Sequence, residues 1–152
     1  MKIIILGPPC VGKTTLSYTA LKNKIPSFTT HFIGSVIPIS EKLTNHFSQF
    51  AEVVLNLDIS LFFDAGGLDI GWINGEIDDR VKAKTVLLLP PKDVYLERER
   101  IKIEKNESRN QGGLNHYNNF TELKSEFDLV IEDVLSPQEI LDYIIETFGF
   151  EK

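Results

Sequence analysis

The chain has 152 residues, of which 42% are hydrophobic and 25% charged, values that suit one folded domain and argue against disorder. Lysine and arginine total 16 against 22 acids, a formal net charge of -6, which disfavours a protein built mainly to grip nucleic acid while leaving a local basic patch open. The one cysteine, Cys10, excludes an intrachain disulfide and suits a reducing, cytoplasmic setting.

The first predicted element is Ile3 to Leu6, a continuous apolar run expected of a central parallel strand buried on both faces. The apolar start is far too short to span a membrane, and no membrane partner is expected. Gly7-Pro8-Pro9 ends the strand. Lys13 to about Lys22 reads as a helix with Leu16, Ala20 and Leu21 on one side. Ser27 to Phe32, between Pro26 and Pro38, is either a short strand or a loop. Ser40 to Ala51 has helical spacing at Leu43, Phe47 and Phe50, with Ser40 as its N-cap.

Ile59 to Asp64 is a second apolar run, ending in an acid and broken by Ala65-Gly66-Gly67. Thr85 to Leu89 is a third buried strand, stopped by Pro90-Pro91. Asp93 to about Lys105 predicts a charged helix. Asn106 to Asn119 is polar, contains Gly112-Gly113, and is expected to be a mobile loop. Phe127 to Ile131 is a last strand. Ser136-Pro137-Gln138-Glu139 carries a cap residue, a proline at the first helical position and a glutamate three residues after the cap. A helix to about Thr147 follows, with Ile140, Leu141, Ile144 and Ile145 inward.

Strands alternating with helices imply one domain over residues 1–152, a three-layer α/β/α fold with a mainly parallel sheet of about five strands. In such sheets ligands sit beyond the carboxyl ends of the strands. Gly7 to Thr14, Asp64 to Asp69 and Pro90 all fall at such ends and are expected to converge.

Gly7-Pro8-Pro9-Cys10-Val11-Gly12-Lys13-Thr14 matches G-x-x-x-x-G-K-[ST]. The glycines let backbone N–H groups curl around an anion, and the following helix adds its free N–H groups and positive dipole end. Lys13 places a full charge on the β- and γ-phosphates, and the Thr14 hydroxyl ligates Mg²⁺. The predicted ATP-binding residues are therefore Gly7, Pro8, Pro9, Cys10, Val11, Gly12, Lys13, Thr14 and Thr15. Thr15 either orients phosphate or packs on the helix.

With these residues the sequence resembles the small P-loop kinases, the group of nucleoside monophosphate kinases and shikimate-type kinases. That resemblance covers most of the chain and implies the P-loop NTPase fold, ATP and Mg²⁺. It also implies transfer of the γ-phosphate to a hydroxyl or phosphate of a nucleotide or other small molecule. It places a lid around residues 106–119 and the adenine base near Glu132, Asp133 and Val134. Pro26-Ser27-Phe28-Thr29-Thr30 is similar to guanylate kinases, but His31 stands where those have arginine.

Asp64 is expected to take the acceptor's proton or to hold Mg²⁺ through water, or else only to cap the turn before Gly66. Asp69 is the second acid candidate. Gly66 and Gly67 either line the acceptor site or form a plain turn, and Trp72 either stacks on a substrate or fills the core. Moving phosphoryl charge calls for cations, and Arg98 and Arg109 are the catalytic candidates, against ion pairing of the helix with Glu97, Glu99 and Glu104. Two other readings stay open. One is a kinase acting on nucleic acid through Arg80, Lys82 and Lys84; the other is a non-catalytic nucleotide-binding switch.

Overall fold

A computed structural model of the chain describes residues 1–29, 51–66, 83–105 and 113–151. Five strands lie among them: β1 (Lys2–Leu6), β2 (Ser27–Thr29), β3 (Leu61–Asp64), β4 (Ala83–Leu88) and β5 (Leu129–Ile131). They form one sheet of order β2-β3-β1-β4-β5, and every neighbouring pair is parallel. Four α-helices flank it: α1 (Lys13–Lys22), α2 (Lys92–Glu104), α3 (Gly113–Glu122) and α4 (Pro137–Phe148). Residues 51–55 are also helical.

The central position of β1 follows from its composition. Ile3, Ile4, Ile5 and Leu6 are all buried, and only a strand covered on both faces can bury consecutive apolar side chains. Each such side chain stabilises the fold by about 1.5–3 kcal/mol relative to exposure. Phe62 and Phe63 in β3 and Val86 to Leu88 in β4 continue the same core on either side. At the amino end of the sheet the Lys2 ammonium donates to the carbonyls of Leu57 and Ile59, so a charge in a buried strand is satisfied at its rim. Burial lowers the Lys2 pKa, and Asp58 opposes that shift. Asp58 therefore lies at the end of the sheet away from the glycine loop.

Helix α4 carries the expected N-terminus. The Ser136 hydroxyl accepts a hydrogen bond from the Glu139 N–H at 3.2 Å, and Pro137 occupies the first turn. Leu141 and Ile144 are buried, with Ile140 and Ile145 packed at the margin. Helix α4 packs on α1, and the Asn23 amide just beyond α1 donates to Gln138 at 2.9 Å.

Of the two alternatives for the Ser27 segment the strand holds over Ser27–Thr29, paired in register with β3. Several other expectations are corrected. Ile59 is 45% exposed and outside β3, and β5 begins at Leu129 rather than Phe127. Leu21 is exposed, because α1 turns only Leu16, Ser17 and Ala20 fully inward. Residues 113–119, expected to be loop, belong to α3. There Tyr117 is buried, stacks on Tyr95 at 5.0 Å between ring centroids and donates to the Pro90 carbonyl at 2.6 Å. Aromatic burial and that bond outweigh the polar composition that suggested a loop. Gly113 packs rather than hinges: a Cβ there would come within 2.3 Å of the Tyr95 hydroxyl. The remaining loop expectation (106–112), the predicted helix from Ser40 up to residue 50, Asp69, Trp72, Arg80, Lys82 and Arg109 lie outside the described residues. Among the described residues no helix is long and apolar enough to cross a membrane.

Candidate active site

The glycine loop joins the carboxyl end of β1 to the amino end of α1, and its backbone departs from ordinary geometry at three places. Gly7 has φ 156°, Cys10 φ 68° and Gly12 φ 97°. Positive φ at these positions turns the chain back on itself, the geometry that aims successive N–H groups at one point. The two motif glycines have different reasons. A Cβ on Gly7 would lie 2.6 Å from the Leu88 carbonyl oxygen of β4, whereas a Cβ on Gly12 would meet nothing within 4 Å. Gly7 is thus required by the sheet beneath it, and Gly12 by its own backbone angle and the open side of the loop. Val11 is buried in the core and anchors the middle of the loop.

Lys13 folds back across this curl. Its ammonium donates to the carbonyl oxygens of Gly7 and Pro8, each at 2.8 Å. Two of its three N–H groups are thereby fixed by the loop, and among the described residues the third has no hydrogen-bond partner. Burial lowers the Lys13 pKa most. Asp64 and Cys10 oppose that shift, and the nearby charge of Lys102 adds to it.

Asp64 ends β3 beside the loop and is only 2% exposed. Its Oδ1 accepts the Gly66 N–H at 3.1 Å, and its Oδ2 accepts the Thr29 hydroxyl at 2.9 Å. The Thr14 hydroxyl lies 3.4 Å from the same Oδ2, long for an O–H···O bond. Lys13, Thr14 and Asp64 are therefore brought together as expected, at the carboxyl ends of β1 and β3. The Gly66 contact means that Asp64 also caps the following turn, so the two readings of this acid are compatible.

These residues suit a magnesium–triphosphate complex. Mg²⁺ favours a hydroxyl or carboxylate oxygen together with phosphate oxygens and waters, and Thr14 and Asp64 supply that set beside a curl of N–H groups. Among the described residues no cluster of three or more His, Cys, Asp or Glu side chains could hold a metal by itself.

Helix α2 brings Lys102 near Lys13. Arg98 is half-buried and makes no hydrogen bond or ion pair among the described residues. Arg100 instead lies on the exposed side, paired with Glu97 at 2.6 Å and Glu104 at 2.5 Å. Glu99 accepts the Tyr95 hydroxyl at 2.8 Å, not an arginine. Burial and this carboxylate raise the Tyr95 pKa strongly. The sequence reading missed Lys102, near enough to Lys13 to repel its charge. It stands seven residues after buried Tyr95 and four after Arg98, on one helical face, and that spacing is the signal that could have found it. Thr29 was likewise read only as part of a similarity and not as a partner of Asp64. Thr15 is exposed, its carbonyl accepting the Thr19 hydroxyl at 2.9 Å.

No protein-family model matches the chain, and no curated protein does so by sequence. Solved structures do match it by shape. Shikimate kinase from Aquifex aeolicus superposes with a TM-score of 0.67 at 18% identity, over 98% of this chain and 96% of that one. Shikimate kinase from Bacteroides thetaiotaomicron gives 0.67 at 15% identity, over 99% of both chains. The YorR protein of Bacillus subtilis, solved in complex with phosphorylated GDP, gives 0.57 at 19% identity, over 98% of this chain and 96% of that one. Across nearly its whole length the chain has the α/β fold of shikimate kinases.

Proposed function

We propose that the protein is an ATP-dependent kinase that transfers the γ-phosphate to a hydroxyl or phosphate group of a nucleotide or other small molecule. The observation that carries this reading is the Lys13 ammonium drawn across the glycine loop by the Gly7 and Pro8 carbonyls, with buried Asp64 beside it. A loop that served only to join strand to helix has no need of a desolvated cation over its own concave side. The shikimate kinases matched across the chain support the reading, and the phosphorylated GDP bound to the YorR protein agrees with nucleotide binding here.

In this reading the loop N–H groups and the Lys13 ammonium hold the β- and γ-phosphates. An acceptor oxygen then attacks the γ-phosphorus in line, the bond to the β-phosphate oxygen breaks, and ADP leaves. Asp64 takes the acceptor's proton when the acceptor is a hydroxyl. Magnesium, when bound, offsets charge on the phosphates, and Thr14 and Asp64 are the residues that would hold it. Arg98, half-buried on α2 and without an ion pair among the described residues, neutralises charge on the group in transit, with Lys102 one turn further along.

The test is a labelled-ATP transfer screen over nucleosides, nucleotides, sugars, shikimate-like acids and short DNA. Asp64→Ala is expected to bind ATP but transfer about 10²–10⁴-fold more slowly. Absence of affinity for any nucleoside triphosphate with magnesium present would remove the donor and overturn the proposal.

A further inference from the structure

The Thr29 hydroxyl is the better-formed of the two hydroxyl contacts to Asp64 Oδ2, at 2.9 Å against 3.4 Å for Thr14. The strand register explains why it reaches. Thr29 closes β2 directly opposite Asp64 in β3, and partners in a parallel pair project their side chains to the same face. Thr14 approaches the same oxygen from the first turn of α1. Three oxygen-bearing side chains from three segments therefore meet at one carboxylate oxygen, while the other oxygen is tied to the Gly66 N–H.

This arrangement divides the work between the two hydroxyls. A threonine hydroxyl that ligates a cation turns a lone pair toward the ion and its proton toward an acceptor. Asp64 Oδ2 is the acceptor within reach of Thr14. For that oxygen to stay in place, the carboxylate needs restraint that does not depend on Thr14, and Thr29 and Gly66 provide it at the two oxygens separately.

We propose that Thr29 is a positioning residue of the site, whose hydroxyl orients the Asp64 carboxylate toward Thr14 and the metal–nucleotide. The inference rests on the kinase reading above and concerns how its metal end is held. Groups that orient a metal-binding carboxylate typically change metal affinity or activity about 10–100-fold when removed. Valine has the shape of threonine and suits a strand, so Thr29→Val removes the hydroxyl with little change in packing. Thr29→Ser keeps the hydroxyl and removes the methyl group.

The experiment titrates a fluorescent ATP analogue into the native chain, Thr29→Val and Thr29→Ser, first in EDTA and then at rising Mg²⁺. The expected result is unchanged binding in EDTA for all three. For Thr29→Val, the Mg²⁺ concentration that half-saturates the metal-dependent gain should rise about tenfold, with Thr29→Ser close to native. A Thr29→Val protein with native Mg²⁺ dependence overturns the inference while leaving the kinase reading intact. So does a Thr29→Ser protein as impaired as Thr29→Val, since the hydroxyl would then not be the cause. A native chain that binds no nucleotide under either condition overturns both.

Discussion

Substituting alanine at the two glycines of the loop separates what the fold requires from what the ligand requires. At Gly7 the new methyl would sit 2.6 Å from the Leu88 carbonyl oxygen and 2.9 Å from Val11 Cγ2, on a residue with φ 156°. The first neighbour is backbone of β4 and cannot swing aside. Overpacking of this kind costs about 1–3 kcal/mol, and positive φ for an L-residue adds about 1 kcal/mol. Gly7→Ala is therefore expected to lose about 2–4 kcal/mol of stability. At Gly12 the methyl meets nothing within 4 Å, and only the φ of 97° resists it, a cost of about 1–2 kcal/mol. That open side is where a phosphate would come, so Gly12→Ala should reduce nucleotide affinity by more than about tenfold, or about 1.4 kcal/mol. Urea denaturation gives the first quantity and fluorescent-nucleotide titration the second. A Gly7→Ala protein within about 0.5 kcal/mol of native would refute the packing account, and native nucleotide affinity in Gly12→Ala would refute the cradle.

Arg98→Ala should slow phosphoryl transfer by about tenfold or more, whereas Arg100→Ala, whose guanidinium is already held by Glu97 and Glu104, should leave turnover unchanged; equal effects in a coupled assay would remove Arg98 from the mechanism. Because burial lowers the Lys13 pKa, kcat/KM should fall along an alkaline limb that begins below the ordinary lysine value of 10.5. In the same window the unfolded chain binds more protons than the folded one, so the Lys13 contribution to stability rises with pH while binding weakens. The limb should persist in Cys10→Gly; a limb at the ordinary lysine value, or one lost with Cys10, would contradict the assignment.

Much of the framework was legible before any coordinates, because buried parallel strands leave unbroken apolar runs. Ile3 to Leu6 and Thr85 to Leu89 are of that kind, and the Ser136-Pro137 start of α4 has its own local chemistry. The glycine loop was legible for a reason of its own: its backbone needs are written in Gly7 and Gly12, and Lys13 and Thr14 follow at fixed spacing. The order of the strands was not, since β1 gives no sign that β3 and β4 are its neighbours. Nor was the placement of Tyr117, whose burial depends on Tyr95 and the Pro90 carbonyl rather than on residues beside it. Thr29 escaped notice because its role arises from the β2–β3 register, a tertiary fact with no local signature.

The strand that carries Asp64 is braced from far along the chain. After α4, Gly149 turns in the left-handed region and delivers Phe150 into the core, edge-on to Phe62 with ring centroids 5.2 Å apart. Phe62 and Asp64 are two positions apart on β3 and share a face. The contact is long in sequence, and such contacts close late because the intervening chain must first be ordered. The wedge behind the acid is therefore missing until α4 has docked. The firm seating of the Asp64 strand thus waits, in folding, on Phe150 from the far side of α4.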